Sequence, residues 1–296
     1  MRLVPPVSAT LARVRQLLVR LDRLDRLVEA VGRIEARQVA SDLSDDLNAH
    51  EFRVFSQNGE DGVIQFLLSR VTVENKRFVE FGVGDYSEAN TRFLSLRDRW
   101  SGLVIEGNPR DLTRLKRDST FWRFDITAVS AFITRENIND LLADNGMTGA
   151  IGLLSIDVDG NDYWIFEAIS VVQPAIVIIE YNHRFGPDRA VTVPYDPAFS
   201  RDRAHYSHIY YGASLRALCL LADRKGYAFV GCESFGVNAF FVRRDLMTGR
   251  IREVSIEEGY RLGRFRAARD RRGRLAYLTA EEETAILADM PVVDVA

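Results

Sequence analysis

Between residues 77 and 242 the chain alternates short apolar runs with segments of helical periodicity, and this alternation limits the fold more than any other feature. The apolar runs are 77–81, 102–106, 121–125, 151–156, 175–180, 227–232 and 237–242. Each has the length of a strand and is bounded by polar or turn-forming residues. Helical segments are expected at 88–97, 109–117, 136–144, 162–169 and 213–225. Strands that alternate with helices build a parallel sheet covered on both faces. The last two runs are separated only by Glu233-Ser234-Phe235-Gly236, which predicts an antiparallel hairpin on the sheet edge. The expected class is therefore α/β, a doubly wound seven-stranded sheet closed by a C-terminal hairpin.

Three further segments surround this unit. Residues 8–38 carry apolar side chains at Leu11, Val14, Leu18, Leu21, Leu24, Val28, Val31 and Ile34. Spacings of three and four make this an amphipathic helix with a coiled-coil-like stripe. Such a helix can pair with a copy of itself, pack on its parent domain or lie on an anionic membrane; Asp22, Asp25, Glu29 and Glu35 interrupt the positive face the last role needs. Residues 39–51 are polar and read as a linker. Residues 183–212 are loop-like, with Tyr195, Tyr206, Tyr210, Tyr211, His205 and His208 making them suitable as a substrate lid. The tail, 250–296, holds seven arginines between Arg261 and Arg274 and a short helix from Ala280 to Met290. The expected division is an oligomerising helix and linker at 1–45, a catalytic domain at 46–248 and a charged extension at 249–296.

Composition removes several functions. The 296 residues carry a net charge of −3, and a chain that lived on nucleic acid would be basic. Cys219 and Cys232 are the only cysteines, too few for a disulfide scaffold and without zinc-ligand spacing, so a reduced, cytoplasmic protein is expected. No run approaches the ~20 apolar residues of a membrane span.

The chemistry is expected at strand ends. Phe78-Val79-Glu80-Phe81-Gly82-Val83-Gly84-Asp85 stops an apolar run at two glycines framed by acids. Gly82 and Gly84 let the backbone approach a ligand, and ligands in such sheets sit beyond the carboxyl ends of the strands. Glu106 ends the next run and is placed to bind two ribose hydroxyls. Asp125 ends the run 121–125 and could accept from an adenine amino group. A nicotinamide dinucleotide and S-adenosylmethionine both suit this layout. The dinucleotide fingerprint needs a third glycine where Ser87 stands, and Glu80 and Asp85 would repel a pyrophosphate but suit a sulfonium and an amino group. The methyl donor is favoured.

A second acidic stretch, Asp157-Val158-Asp159-Gly160-Asn161-Asp162, follows the run 151–156. Asp157 and Asp159 point to one side at strand spacing, and Glu180 and Asn182 at the end of the next run would lie beside them. Hard oxygen ligands converging there suit a divalent cation such as magnesium. Without a metal, one carboxylate can serve as general base. His183 has the ordinary pKa to take a proton from a hydroxyl near neutral pH.

The stretches Glu80–Asp85 and Leu154–Tyr163, with Glu106 and the lead-in Phe55-Ser56-Gln57-Asn58-Gly59-Glu60-Asp61, resemble class I S-adenosylmethionine-dependent methyltransferases, and within them the FkbM-like branch. The resemblance covers roughly residues 52–245. It implies a Rossmann-like seven-stranded sheet with a reversed last hairpin. It implies Glu80, Gly82, Gly84 and Asp85 along the donor, Glu106 on its ribose and Asp125 near its adenine. It further implies a magnesium site at Asp157, Asp159 and Glu180, and methyl transfer to a hydroxyl of a sugar, glycan or natural product, with His183 or Asp157 taking the proton. Two rival functions remain: a catalytically inactive donor-binding module that serves assembly, and a metal-dependent enzyme of another class on the same fold.

Overall fold

The computed structural model describes residues 7–117 and 119–296. In chain order the helices and strands are α1 (Val7–Ser41), α2 (Glu60–Arg70), β1 (Arg77–Phe81), α3 (Arg92–Asp98), β2 (Ser101–Glu106), α4 (Pro109–Leu115), α5 (Ser119–Arg123), β3 (Ile126–Ser130), α6 (Ile138–Asp144), β4 (Gly149–Ile156), α7 (Asp162–Ala168), β5 (Val172–Glu180), β6 (Val191–Thr192), α8 (Arg201–Ala204), α9 (Leu215–Arg224), β7 (Tyr227–Cys232), β8 (Asn238–Arg243), α10 (Ile256–Gly259), α11 (Ala280–Ala288) and β9 (Val293–Asp294). The main sheet has seven strands in the order β3-β2-β1-β4-β5-β8-β7, and β6 and β9 form a separate two-stranded sheet. Strands β1 to β5 pair in parallel, and β8 is antiparallel to β5 and to β7. This is the expected Rossmann-like α/β sheet with a reversed hairpin at one edge.

The alternation of side chains across the pleat explains why both faces are covered. Val79, Phe81, Leu103, Ile105, Leu154, Val177, Ile179 and Phe241 contribute to one apolar layer with α7 and α9. Phe78, Val104, Leu153, Ile176, Ile178 and Phe240 contribute to the other with α2. Neighbours along a strand point to opposite faces, so a strand buried on both sides reads as a continuous apolar run. The chain order reverses between β1 and β4, and this switch point opens a crevice beyond their carboxyl ends.

One strand assignment fails. The run 121–125 falls on α5 and the residues after it, and β3 starts at Ile126, in register with Gly102 of β2. The aromatic pair Phe121-Trp122 has strand character, but Trp122 is 76 % exposed and the β-branched stretch Ile126-Thr127-Ala128-Val129 takes the place in the sheet.

Outside the sheet, the last turns of α1 pack on the domain. Ala36 and Val39 are buried, and Gly32 lets α1 press so closely on Val54 that a Cβ there would stand 2.4 Å from its methyl. Leu24, Leu27, Val28, Val31 and Ile34 are exposed on the rest of the described face; the side chains of Leu11, Val14, Leu18 and Leu21 lie outside the described residues. The expected linker is packed in part. Asp46 caps a short turn at Leu47–His50, and His50 stacks on Phe66 at 4.5 Å.

The segment 183–212 and the tail form one structure. Phe185, Val191, Val193, Ile209 and Tyr210 share a third apolar core with Ala268 and Leu287, and β6 pairs with β9. The Tyr210 hydroxyl donates to the Pro291 carbonyl at 2.5 Å. The tail is thus no separate appendage: it braces the insertion against the ligand edge of the sheet.

Candidate active site at the sheet switch point

The crevice between β1 and β4 holds a pocket of about 270 Å³ lined by Gln57, Glu60, Glu80, Phe81, Gly82, Val83, Gly84, Asp85, Ser87, Glu88, Ala89, Asn90, Ser155, Asp157 and Asn238. Its floor depends on the glycine pair. Gly82 has φ +68° and passes so close to β4 that a Cβ would lie 1.8 Å from the Asp157 carbonyl oxygen. Gly84 has φ +54° with nothing within 4 Å of a built Cβ. The first glycine is needed for close backbone approach, the second for conformation and open space.

The acids around this floor hold backbone groups in place. Glu80 is buried and accepts from the Asn90 amide at 2.8 Å, the Thr91 amide at 3.1 Å and the Thr91 hydroxyl at 2.5 Å. These bonds pin the loop that enters α3. Burial still outweighs them and pushes its carboxyl up to about 7. Glu106 accepts from the Gly84 amide at 2.7 Å and the Asn108 amide at 2.7 Å, so it fixes the glycine loop directly. A carboxylate oxygen accepts more than one hydrogen bond, so Glu106 keeps capacity for a ligand hydroxyl. Asp85 is exposed at the rim, and its bond to the Ser87 hydroxyl draws its carboxyl below the usual range.

Asp125 does not join this site. It precedes β3, and its carbonyl accepts from the Gly102 amide at the amino-terminal edge of the sheet. The chain that continues past β3 beside Glu106 is Ala131-Phe132: the Ala131 amide donates to the Glu106 carbonyl, and the half-exposed Phe132 ring lies 3.7 Å from a built Cβ on Gly107. The segment Gln57–Asp61, which the sequence offers either as a helix cap or as part of the pocket mouth, supplies Gln57 and Glu60 to the lining, whereas Asn90 and Asn238 carry no sequence signal. Glu60 is fully buried and accepts from the Asn238 side chain at 2.9 Å, which ties the lead-in segment to β8. The turn Gln57–Asp61 does two jobs. Gln57 and Glu60 line the pocket, and Asp61 accepts from the Val54, Phe55 and Ser56 amides.

Asp157, Asp159 and Glu180 converge where β4 and β5 end, each offering an oxygen within 4.8 Å of the others. Asp162 accepts from the Val158 and Gly160 amides and bends the loop; Asp159 sits in it with φ +54°. Burial raises the Asp157 and Glu180 carboxyls well above their usual range, and repulsion among the acids adds to it. Glu180 Oε2 is buried without a hydrogen-bond donor. Arg201 of α8 faces the cluster: it donates to Asp159 at 2.9 Å and lies 3.8 Å above the Tyr211 ring. Three close carboxylates with an orphaned buried oxygen suit a divalent cation. Asn182 is committed elsewhere: its Oδ1 accepts from the Arg184 amide at 3.2 Å, and its side-chain amide donates to the Ile209 and Tyr211 carbonyls.

His183 is placed differently from expectation. Its ring is buried below Gly263 and packs edge-on to Phe265 at 6.2 Å, outside the pocket lining, and neither ring nitrogen has a partner. Burial and the neighbouring Arg184 push its pKa down to about 3, which makes it a weak proton acceptor.

No known protein family and no curated protein matches the sequence. Several solved structures are similar in part. The N-terminal domain of EvdMO1, crystallised with SAH bound, is 13% identical; the match covers 72% of this chain and 96% of that one at a TM-score of 0.41. An O-methyltransferase family protein from Burkholderia thailandensis is 11% identical over 82% of this chain and 60% of its own, at a TM-score of 0.37. An S-adenosylmethionine-dependent methyltransferase from Clostridium acetobutylicum is 11% identical over 56% and 83%, at 0.34. At this distance the chemistry of the site has to stand on its own residues. Among the described residues no helix is long and apolar enough to cross a membrane.

Proposed function

We propose that this chain is an S-adenosylmethionine-dependent O-methyltransferase of the FkbM-like branch, acting on a hydroxyl of a sugar, glycan or natural product. The observation that carries the reading is the glycine floor at the switch point, clamped by Glu106 and opening onto Asp157. Glu80, Gly82, Gly84 and Asp85 would line the donor, with Glu106 at its ribose and Ala131-Phe132 beside its base.

The donor supplies an electrophilic methyl group: the acceptor oxygen bonds to it, the carbon–sulfur bond breaks with its electron pair left on sulfur, and the acceptor loses a proton. The chain has to align the acceptor and take that proton. Asp157 stands between the donor pocket and the acid cluster, where it can take the acceptor's proton when the cluster holds no metal. Asp157, Asp159 and Glu180 would hold a magnesium ion, which would lower the pKa of the acceptor hydroxyl. The insertion 183–212 and the tail that braces it would form the acceptor side.

Both cysteines are free, in keeping with a cytoplasmic enzyme. The exposed stripe on α1 supports a homo-oligomer joined through that helix. Replacing Leu24 and Val28 with glutamate should lower the sedimenting mass; an unchanged mass would remove this element. The central reading is tested by calorimetry with SAH, followed by a search for methyl transfer to a pool of glycans and sugars. Binding plus turnover is expected. Absence of heat with SAH would sink the reading, and binding without turnover would favour an assembly module.

A further inference from the structure

Arg201 is tied to three parts of the site at once. Its Nε donates to the His208 carbonyl at 2.7 Å, one Nη donates to Asp159 at 2.9 Å, and its guanidinium lies 3.8 Å from the centre of the Tyr211 ring. Asp159 is one of the three acids whose oxygens lie within 4.8 Å of one another. Burial raises the other two, Asp157 and Glu180, and the Arg201 charge opposes that rise at both. The arginine therefore faces the whole cluster. It does not complete it, because Glu180 is 6% exposed and its Oε2 has no donor. Three carboxylates meet one guanidinium, so the site keeps a demand for more positive charge than Arg201 supplies.

The segment that carries this arginine is loosely held. None of the residues of α8 is buried. The chain on either side is anchored: the Phe199 ring lies so close to Gly160 that a Cβ there would stand 2.2 Å from it, and Ile209 is buried in the third apolar core. Between these anchors Arg201 reaches back to the acid loop. The Asp159 side chain is 63% exposed, so water screens their ion pair and leaves it weak. Both residues that Arg201 bonds are non-glycines in the left-handed region, Asp159 at φ +54° and His208 at φ +58°. A surface segment held by a screened ion pair can let go without disturbing a core.

We propose that Arg201 competes with a divalent cation for the acid cluster, so that binding of the cation displaces the guanidinium and frees the α8 segment on the acceptor side. This rests on the metal site of the methyl-transfer reading and deepens it. A cation held through Asp159 brings two positive charges beside a guanidinium on the same carboxylate, and like charges a few ångströms apart repel even in water. The arginine is the partner that can leave, since its stem belongs to a segment without a core. Tyr211 is 1% exposed beneath it. The exchange therefore uncovers the Tyr211 ring and the acid cluster together, and cation and acceptor share one opening.

The test compares magnesium binding, by calorimetry, in the full chain and in an Arg201→Met variant, which keeps an apolar cover on Tyr211. The variant should bind magnesium at least about tenfold more tightly. Arg201→Lys keeps the charge without the planar fork and should fall between the two. Hydrogen exchange gives a second readout. Magnesium should speed exchange of the amides at 201–208 in the unchanged chain, whereas in Arg201→Met they should exchange fast with or without the metal. Equal magnesium affinity in the unchanged chain and Arg201→Met, or exchange at 201–208 that magnesium slows or leaves unaltered, would overturn the proposal. Absence of magnesium binding in every form would overturn it and remove the metal site as well. Loss of SAH binding alone would defeat the methyl-transfer reading, and the magnesium comparison would still decide this one.

Discussion

Glu80 and Glu180 each stand at the carboxyl end of a parallel strand and are almost completely buried, yet their surroundings are opposite. Glu80 accepts three hydrogen bonds from Asn90 and Thr91 and so fixes the wall of the pocket. Glu180 has a buried oxygen with no donor and two acids, Asp157 and Asp159, as neighbours. The contrast extends to the regions around them. On the β1 side Glu106 is bonded to backbone amides and Glu60 to amides and a side-chain amide, so the acids act as internal struts. On the β4–β5 side Asp157, Asp159 and Glu180 face one another across a small gap with Arg201 as a partial counter-charge. Matched acids preorganise a surface for a ligand that needs shape. Unmatched acids create a local demand for a cation or a proton. The comparison teaches that burial of a carboxylate does not by itself mark a reactive group; its missing partners do.

The largest expected effect tests the floor that joins the two regions. Gly82→Ala should destabilise the protein by roughly 2–5 kcal/mol and abolish SAH binding, because the new methyl meets the Asp157 carbonyl at 1.8 Å in a backbone conformation with φ +68°. Gly84→Ala should cost only about 1 kcal/mol in chemical denaturation, the strain of its φ alone. Equal effects would mean that β1 and β4 are not in close contact there.

Next comes the direct contrast between the two glutamates. Glu80→Gln should destabilise by roughly 2 kcal/mol, since the new amide faces donors it cannot accept from. Glu180→Gln should instead stabilise the protein at pH 8, by removing a buried charge that repels Asp157 and Asp159. It should also weaken magnesium binding and methyl transfer. Destabilisation by both changes would break the distinction between the two sides.

The same contrast also governs the pH dependence of stability. Glu80 rises from an ordinary 4.5 to about 7 in the fold, so its contribution is fully present below about 4.5 and is lost as pH climbs through 7. Asp157 and Glu180 are raised too and act in the same direction. The melting temperature should therefore fall between pH 5 and pH 8. Added magnesium should restore the share owed to the acid cluster and leave the share owed to Glu80. A melting temperature that rises over this range would contradict the burial assigned to these groups.

Much of the fold was legible in the sequence because its physical cause is local. Continuous apolar runs of strand length such as Ala175–Ile179 suit strands buried on both faces, and the five residues between β7 and β8 leave room only for a hairpin. Gly82, Gly84 and the acids at strand ends were legible for the same reason, since a strand end in a parallel sheet is a fixed place. The failures were non-local. Nothing near Asp125 says that β3 starts one residue later; its pairing with Gly102 of β2 decides that. His183 has the right chemistry in sequence, but Gly263, eighty residues on, buries its ring. Asn238 reaches Glu60 only because β8 folds back beside β5. The sequence by itself determined which elements form and which acids end them, because periodicity and glycine act within a few residues. Tertiary structure alone decided which of those acids are bonded and which are left facing one another, because hydrogen-bond partners and desolvation come from chain segments far away in sequence.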